Sequence, residues 1–133
     1  MPRPSLCAVL VIVACGCARS GDAVRTPSGL VYTVVQPGSG PAAQAGQYVL
    51  IHETTTLPDG RVHYSTHTAG QPLRFLLGGS QVIDGVDEGV TGMRVGERRK
   101  LIVPPALSRR STYPAGLSPD DTLYYDIELV GIE

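Results

Sequence analysis

From Leu30 onward the chain falls into short runs in which apolar and polar residues alternate, separated by glycine and proline. A period of two marks half-buried strands joined by turns. Leu30 to Gln36, with Val31, Tyr32, Val34 and Val35, predicts a first strand, broken by Pro37-Gly38-Ser39-Gly40-Pro41. Gln47 to Leu57 predicts a second. It sets Tyr48, Leu50, His52 and Thr54 on one face and Val49, Ile51, Glu53 and Thr55 on the other. Pro58-Asp59-Gly60-Arg61 is a turn, because Asp-Gly tolerates positive φ, and Val62 to Ser65 is the returning strand. A polar connection from Thr66 to Gln71 leads to a short strand, Leu73 to Leu76.

The period then changes. Val82, Val86 and Val90 are four apart, with Ile83 and Met93 close to the same side, which predicts a short helix with one apolar face. Gly92 and Gly96 are suited to the left-handed conformation that ends a helix. Glu97 to Val103 reads as a strand, stopped by Pro104-Pro105. Pro104 to Asp121 contains four prolines (Pro104, Pro105, Pro114, Pro119) and no period, and loops of that length in a compact domain usually carry function. The last run, Thr122 to Ile132, sets Leu123, Tyr125, Ile127 and Leu129 against Tyr124, Asp126, Glu128 and Val130. The whole predicts an α+β domain: a mostly antiparallel sheet of about five strands with one short α-helix over one face.

The first residues belong to a different kind of segment. Arg3 precedes an apolar run, Leu6 to Ala14, too short to span a bilayer. It ends Ile12-Val13-Ala14-Cys15, which resembles a bacterial lipobox with Cys15 as the lipidated residue; Cys17 is a second candidate, and a plainly cleaved signal the alternative. Residues 1–19 are thus expected to be a signal peptide, 20–27 a tether and 28–133 the folded domain. The protein is expected to be exported and held at the membrane by its lipid alone, facing the periplasm or cell exterior. All 3 cysteines lie in the leader, so the domain has no thiol or disulfide chemistry.

Composition adds mainly exclusions. With 133 residues, 42% hydrophobic and 17% charged, the chain is one small globular domain. A net charge of -1 gives no electrostatic case for nucleic acid. The domain contains no Gly-x-Ser-x-Gly elbow and no glycine-lysine phosphate loop. His63 and His67 are four apart, but on a strand and the loop after it, where that spacing does not converge two ligands, so no metal is expected. Asp87-Glu88, near the helix start, is read as structural stabilisation through the helix dipole.

One long pattern remains. Val82-Ile83-x-Gly85-x-x-Glu88-Gly89-Val90-x-Gly92-Met93-x-Val95-Gly96-Glu97-x-Arg99-Lys100-Leu101 is followed by Pro104-Pro105 and by Thr122-Leu123-Tyr124-Tyr125-Asp126-Ile127-Glu128-Leu129. With Gly29-Leu30-Val31-Tyr32, Pro37-Gly38-Ser39-Gly40 and Leu57-Pro58-Asp59-Gly60 before it, this closely resembles the FKBP-type peptidyl-prolyl cis-trans isomerases over Ser28 to Glu133. The resemblance implies a bent antiparallel sheet wrapped around the short helix, with an apolar pocket between them and no cofactor. Ile83, beside Val82, matches the position whose backbone N–H holds a ligand carbonyl. Phe75 and Tyr125 match aromatic walls, Leu73 stands where an aromatic is common, and Val86 stands at the pocket floor.

The same resemblance marks departures at the rim. Glu53 stands in the place of a tyrosine. His63-Tyr64 replaces a phenylalanine-aspartate pair, removing an acidic side chain. Arg109 replaces a loop tyrosine, a role Tyr113 is placed to serve instead, and Leu117 lines the mouth. Tyr64 offers a hydroxyl and Glu53 a carboxylate in compensation. The implied activity is rotation about Xaa-Pro bonds of folding envelope proteins, at reduced strength, with Tyr64, Ile83 and Tyr125 nearest the chemistry. The alternative is a non-catalytic chaperone or peptide-binding module using the same groove. Implied partners are proline-containing unfolded or partly folded polypeptides and, weakly, a macrolide, bound by a monomer.

Overall fold

The computed structural model describes residues 21–133, so the lipobox-like segment around Cys15 and Cys17 lies outside the described residues. Seven strands and two short helices follow in order: β1 (Ala23–Arg25), β2 (Val31–Gln36), β3 (Tyr48–Thr56), β4 (Val62–Ser65), α1 (Thr66–Ala69), β5 (Leu73–Leu76), α2 (Asp84–Val90), β6 (Arg98–Val103) and β7 (Leu123–Ile132). A single turn of 3-10 helix, Pro105–Leu107, opens the long loop before β7.

All pairings are antiparallel, in the order β1-β2-β6-β7-β3-β4, with β5 also on β3. The sheet therefore has seven strands where about five were expected. The short strands β4 and β5 have the bounds expected from the sequence, and β1, of three residues with one partner, is the unexpected member, too short for a period to declare itself. β1 falls in the stretch expected to be a tether: Ala23, Val24 and Arg25 pair with Thr33, Tyr32 and Val31. The connection after Ser65 also differs from the expected irregular link. Thr66–Ala69 makes one helical turn, closed by Gly70 at φ 85°.

Strand β3 is the centre of the sheet's wiring. One edge pairs with β7 along its length, from Val49↔Ile132 to Thr56↔Tyr124. The other is divided, Tyr48 to Ile51 pairing with β5 and Thr54 to Thr56 with β4. In the gap the Thr66 hydroxyl takes the place of a strand: its Oγ1 accepts the Glu53 N–H at 2.9 Å and donates to the Glu53 carbonyl at 3.3 Å. Alternation along β3 and β7 follows the sequence reading. Val49, Ile51, Glu53 and Thr55 face inward with Leu123, Tyr125, Ile127 and Leu129.

The inner face is covered by α2, whose apolar side carries Val86 and Val90, both buried, with Met93 just beyond. The helix sits unusually close to the sheet. A Cβ on Gly85 would come 2.5 Å from Val103 Cγ1, and one on Gly89 would meet the Leu101 methyls. Glycine is required there for contact rather than for backbone freedom. Gly92, at φ 89°, follows the helix end, and its N–H bonds the Ala43 carbonyl at 2.8 Å. Asp87 and Glu88 act more specifically than through the helix dipole. Asp87 Oδ1 accepts the Gly78 N–H at 2.7 Å, and the Glu88 carboxylate accepts the Ser28 hydroxyl at 2.6 and 2.8 Å.

Gly85→Ala tests the close approach. Val103 is fully buried and stiff at χ1, so it has little room to yield. The overpacking cost of about 1–3 kcal/mol exceeds the gain in helix propensity of about 1 kcal/mol. The variant is expected to unfold at lower urea concentration with an unchanged m-value.

Candidate active site

Where α2 meets the inner face of β3 and β7, a cavity of about 520 Å³ opens to solvent. Its apolar part comes from Val82 and Ile83, which lead into α2, from Val86 on its first turn, and from the Tyr125 ring on β7. Val86 is there because the four-residue spacing turns it inward; Ile83 is there as the N-cap, extended at φ -62°, ψ 153°. The Ile83 carbonyl accepts the Val86 and Asp87 N–H groups, whereas its own N–H donates to no other described residue. Opposite stand Glu53 from β3 and Arg109, Arg110 and Ser111 from the long loop; Ser80 and Gln81 close the side.

Electrically the cavity is organised around Glu53. The two-residue period places this carboxylate on the inner face, where only 8% of the residue is exposed. Burial pushes its pKa up to about 7, with Arg110 pulling the other way. Burial also raises the Tyr125 phenol, and the Glu53 charge adds to that shift. Arg110 Nη2 reaches the Tyr125 hydroxyl at 3.4 Å, at the long limit of a hydrogen bond. Its Nε is buried and donates to no described residue. Neither Arg109 nor Arg110 forms an ion pair with any described residue.

Six of the residues singled out from the sequence meet at this cavity: Glu53, Val82, Ile83, Val86, Arg109 and Tyr125. The others stand elsewhere. Phe75 and Leu117 are buried in the core, and Leu73 packs against its margin. Tyr113 also packs on the core and lines a neighbouring cavity of about 390 Å³ with Pro105, Asp120 and both loop arginines, so it is not the group that faces Glu53. Tyr64 pairs across from Thr55 but does not line the cavity. It lies on β4, at the end of the sheet, and 42% of it is exposed.

Sequence reasoning missed Arg110, Ser80, Gln81 and Ser111. Ser80 is the one described non-glycine residue with positive φ, at 57°, and the preceding Gly78-Gly79 was its only sign. Nothing in an aperiodic loop told that Arg110 joins Arg109 at the cavity. Among the histidines, His67 stacks on His52 with centroids 4.4 Å apart, and His52 Nδ1 lies 2.9 Å from Thr66 Oγ1.

Residues 40–130 match the family model described as FKBP-type peptidyl-prolyl cis-trans isomerase. The chain belongs to the FKBP-type peptidyl-prolyl cis-trans isomerase family. It is 42% identical over 109 residues to FK506-binding protein 4 of Mycosarcoma maydis, covering 82% of this chain but 29% of that protein. To FK506-binding protein 1 of Dictyostelium discoideum it is 38% identical over 103 residues, 77% of this chain and 96% of that protein. The crystal structure of FkpA from Escherichia coli superposes with a TM-score of 0.76 at 35% identity, covering 86% of this chain and 53% of FkpA. The FKBP-like fold expected from the sequence, an antiparallel sheet wrapped around a short helix, is the fold observed. The chain spans only 29% of the first of these relatives, so it shares one FKBP domain with it.

The buried carboxylate makes a pH prediction. Glu53 has a folded-state pKa of about 7 against an ordinary 4.5. Between those values the native state keeps a proton that the unfolded chain has lost, so stability falls as pH rises through this window. Above it the loss approaches about 3 kcal/mol. Glu53→Gln is therefore expected to raise the urea midpoint at pH 8 and to change it little at pH 5.

Proposed function

We propose that this chain catalyses cis-trans rotation about Xaa-Pro bonds in polypeptides folding at the cell envelope, with reduced activity for its family. The observation that carries the reading is the apolar floor of Val82, Ile83, Val86 and Tyr125 beside the undonated N–H of Ile83. Rotation is slow because amide resonance must be broken, at about 18–20 kcal/mol. In the twisted state the carbonyl carries less negative charge and the nitrogen is no longer planar. An apolar surface disfavours the planar, more polar ground state relative to the twisted one, and no nucleophile is required.

In this reading the pyrrolidine ring lies on Val86 and Tyr125, with Phe75 and Leu117 stiffening the wall from behind. The Ile83 N–H holds the carbonyl of a neighbouring residue. Weaker catalysis follows from the rim: a carboxylate at Glu53, an arginine at Arg109, and Tyr64 turned to solvent in place of an acid. Macrolides would bind weakly for the same reason. Envelope location rests on the sequence of residues 1–19, with the lipid on Cys15 as the attachment and a monomer as the working state.

A second reading is supported by the charged groups inside the cavity: the same groove holds proline-containing or apolar segments as a chaperone without turning them over. A protease-coupled assay on a short Xaa-Pro peptide separates the two. Catalysis above background is expected, rising in Tyr64→Asp. A folded chain with no catalysis, yet able to suppress aggregation of a refolding client, leaves the binding module standing and removes the enzyme.

A further inference from the structure

We propose that Arg109 and Arg110 form a carboxylate-binding subsite at the mouth of the cavity, selecting Xaa-Pro substrates in which the residue before proline is glutamate or aspartate. The inference rests on the isomerase reading above and names its substrate class. Of the other arginines of the domain, Arg61, Arg74, Arg98 and Arg99 each pair with a carboxylate, and Arg94 donates to the Gly40 carbonyl. Arg109 and Arg110 form no ion pair with a described residue, although both line the cavity, and Arg110 acts on Glu53 only from beyond ion-pair distance. Arg110 further holds a buried Nε with no acceptor among the described residues, so no protein carboxylate engages that edge of its guanidinium. The planar guanidinium fork matches a carboxylate through two parallel hydrogen bonds, and in a partly dry cavity such a contact is stronger than at an open surface.

Reach agrees with this placement. With proline on the apolar floor, the preceding Cα lies about 3.8 Å away along the chain, and a two- or three-carbon acidic side chain extends from there to the rim. Glu53 is the one acidic group in the lining, and it shares the cavity with Tyr125, Arg109 and Arg110. From α2, Asp87 is bonded to Gly78 and Glu88 to Ser28, and neither they nor Asp84 line the cavity. From α1, Thr66 meets the Glu53 backbone and His52 Nδ1 but not the Glu53 carboxylate, while His67 stacks on His52. Burial raises the Glu53 pKa to about 7. Below neutrality its proton removes the competing charge and leaves both arginines to the substrate; above it, Glu53 attracts Arg110 and repels an incoming carboxylate. Discrimination for acidic residues is therefore greatest at low pH.

The test uses N-acetylated Ala-Xaa-Pro-Phe anilides with Xaa glutamate, glutamine or leucine, so that no terminal carboxylate is present, in a protease-free assay with the full chain. At pH 6, kcat/KM for glutamate is expected to exceed that for glutamine by about fivefold or more. The ratio should narrow at pH 8 and collapse in an Arg109→Gln, Arg110→Gln double variant. Turnover of the leucine peptide reads the isomerase activity by itself. A chain that turns it over yet treats glutamate no better than glutamine overturns the subsite while leaving the enzyme. If no peptide is turned over, the enzyme reading fails, and NMR titration of the wild-type chain with the same glutamate and glutamine peptides decides the subsite. Tighter binding of glutamate, with shifts at residues 109–111, upholds it, and equal affinity overturns it.

Discussion

The structure depends on how closely α2 can lie on β6. Gly85 and Gly89, one helical turn apart, present no side chain to Val103 and Leu101, and the helix backbone comes down onto the sheet. That depth turns Val86 and Val90 into the core and leaves Ile83 and Val82 at the mouth of the remaining space. A second contact fixes the far end of the helix. Arg99, almost buried, pairs with Glu97, donates to the Gly89 carbonyl at 3.3 Å and lies 4.6 Å from the centre of the Tyr32 ring. A cation at the last turn meets the negative end of the helix and satisfies a carbonyl that no helical N–H reaches. Removing its partner would leave a buried charge alone, which costs far more than the pair contributes.

The cavity that results is not a plain apolar slot. The long aperiodic loop adds two arginines and a serine to its wall, and the sheet supplies one carboxylate. Glu53 gains little direct compensation, since no hydrogen bond to its carboxylate oxygens is formed by a described residue. A group so placed costs stability when charged. The glycines under α2 and the charges above it thus represent opposite priorities in neighbouring layers: one maximises packing, the other sacrifices some of it.

Most of the architecture was legible because the elements that carry it are long and periodic. The inward faces of β3 and β7 and the Val82-Val86-Val90 row could be read from spacing, and these residues build the core and the cavity floor. β1 and α1 escaped because three and four residues contain less than one useful period; their existence depends on a partner, β2 in one case and the gap beside Glu53 in the other. Val86, Glu53 and Tyr125 could be placed at the cavity because they sit on regular elements, and Ile83 because it directly precedes one. Tyr64 was expected at the cavity and does not line it, and Arg110 lines it and was missed, for a common reason. Position along the chain fixes the backbone of an edge strand or loop, but not whether its side chain turns toward the cavity or to solvent.

The hydroxyl of Thr66 has a consequence for motion. Along the rest of β3 an amide is protected by a neighbouring strand, so exposing it means separating two ladders. The Glu53 amide is held by a single side chain on a one-turn helix, so releasing it takes a displacement of α1 and not the parting of two strands. Hydrogen exchange there would follow local opening of α1 instead of global unfolding. The strand that crosses the middle of the sheet thus has one amide whose exposure is expected to depend on α1, on the same residue that carries the carboxylate of the cavity.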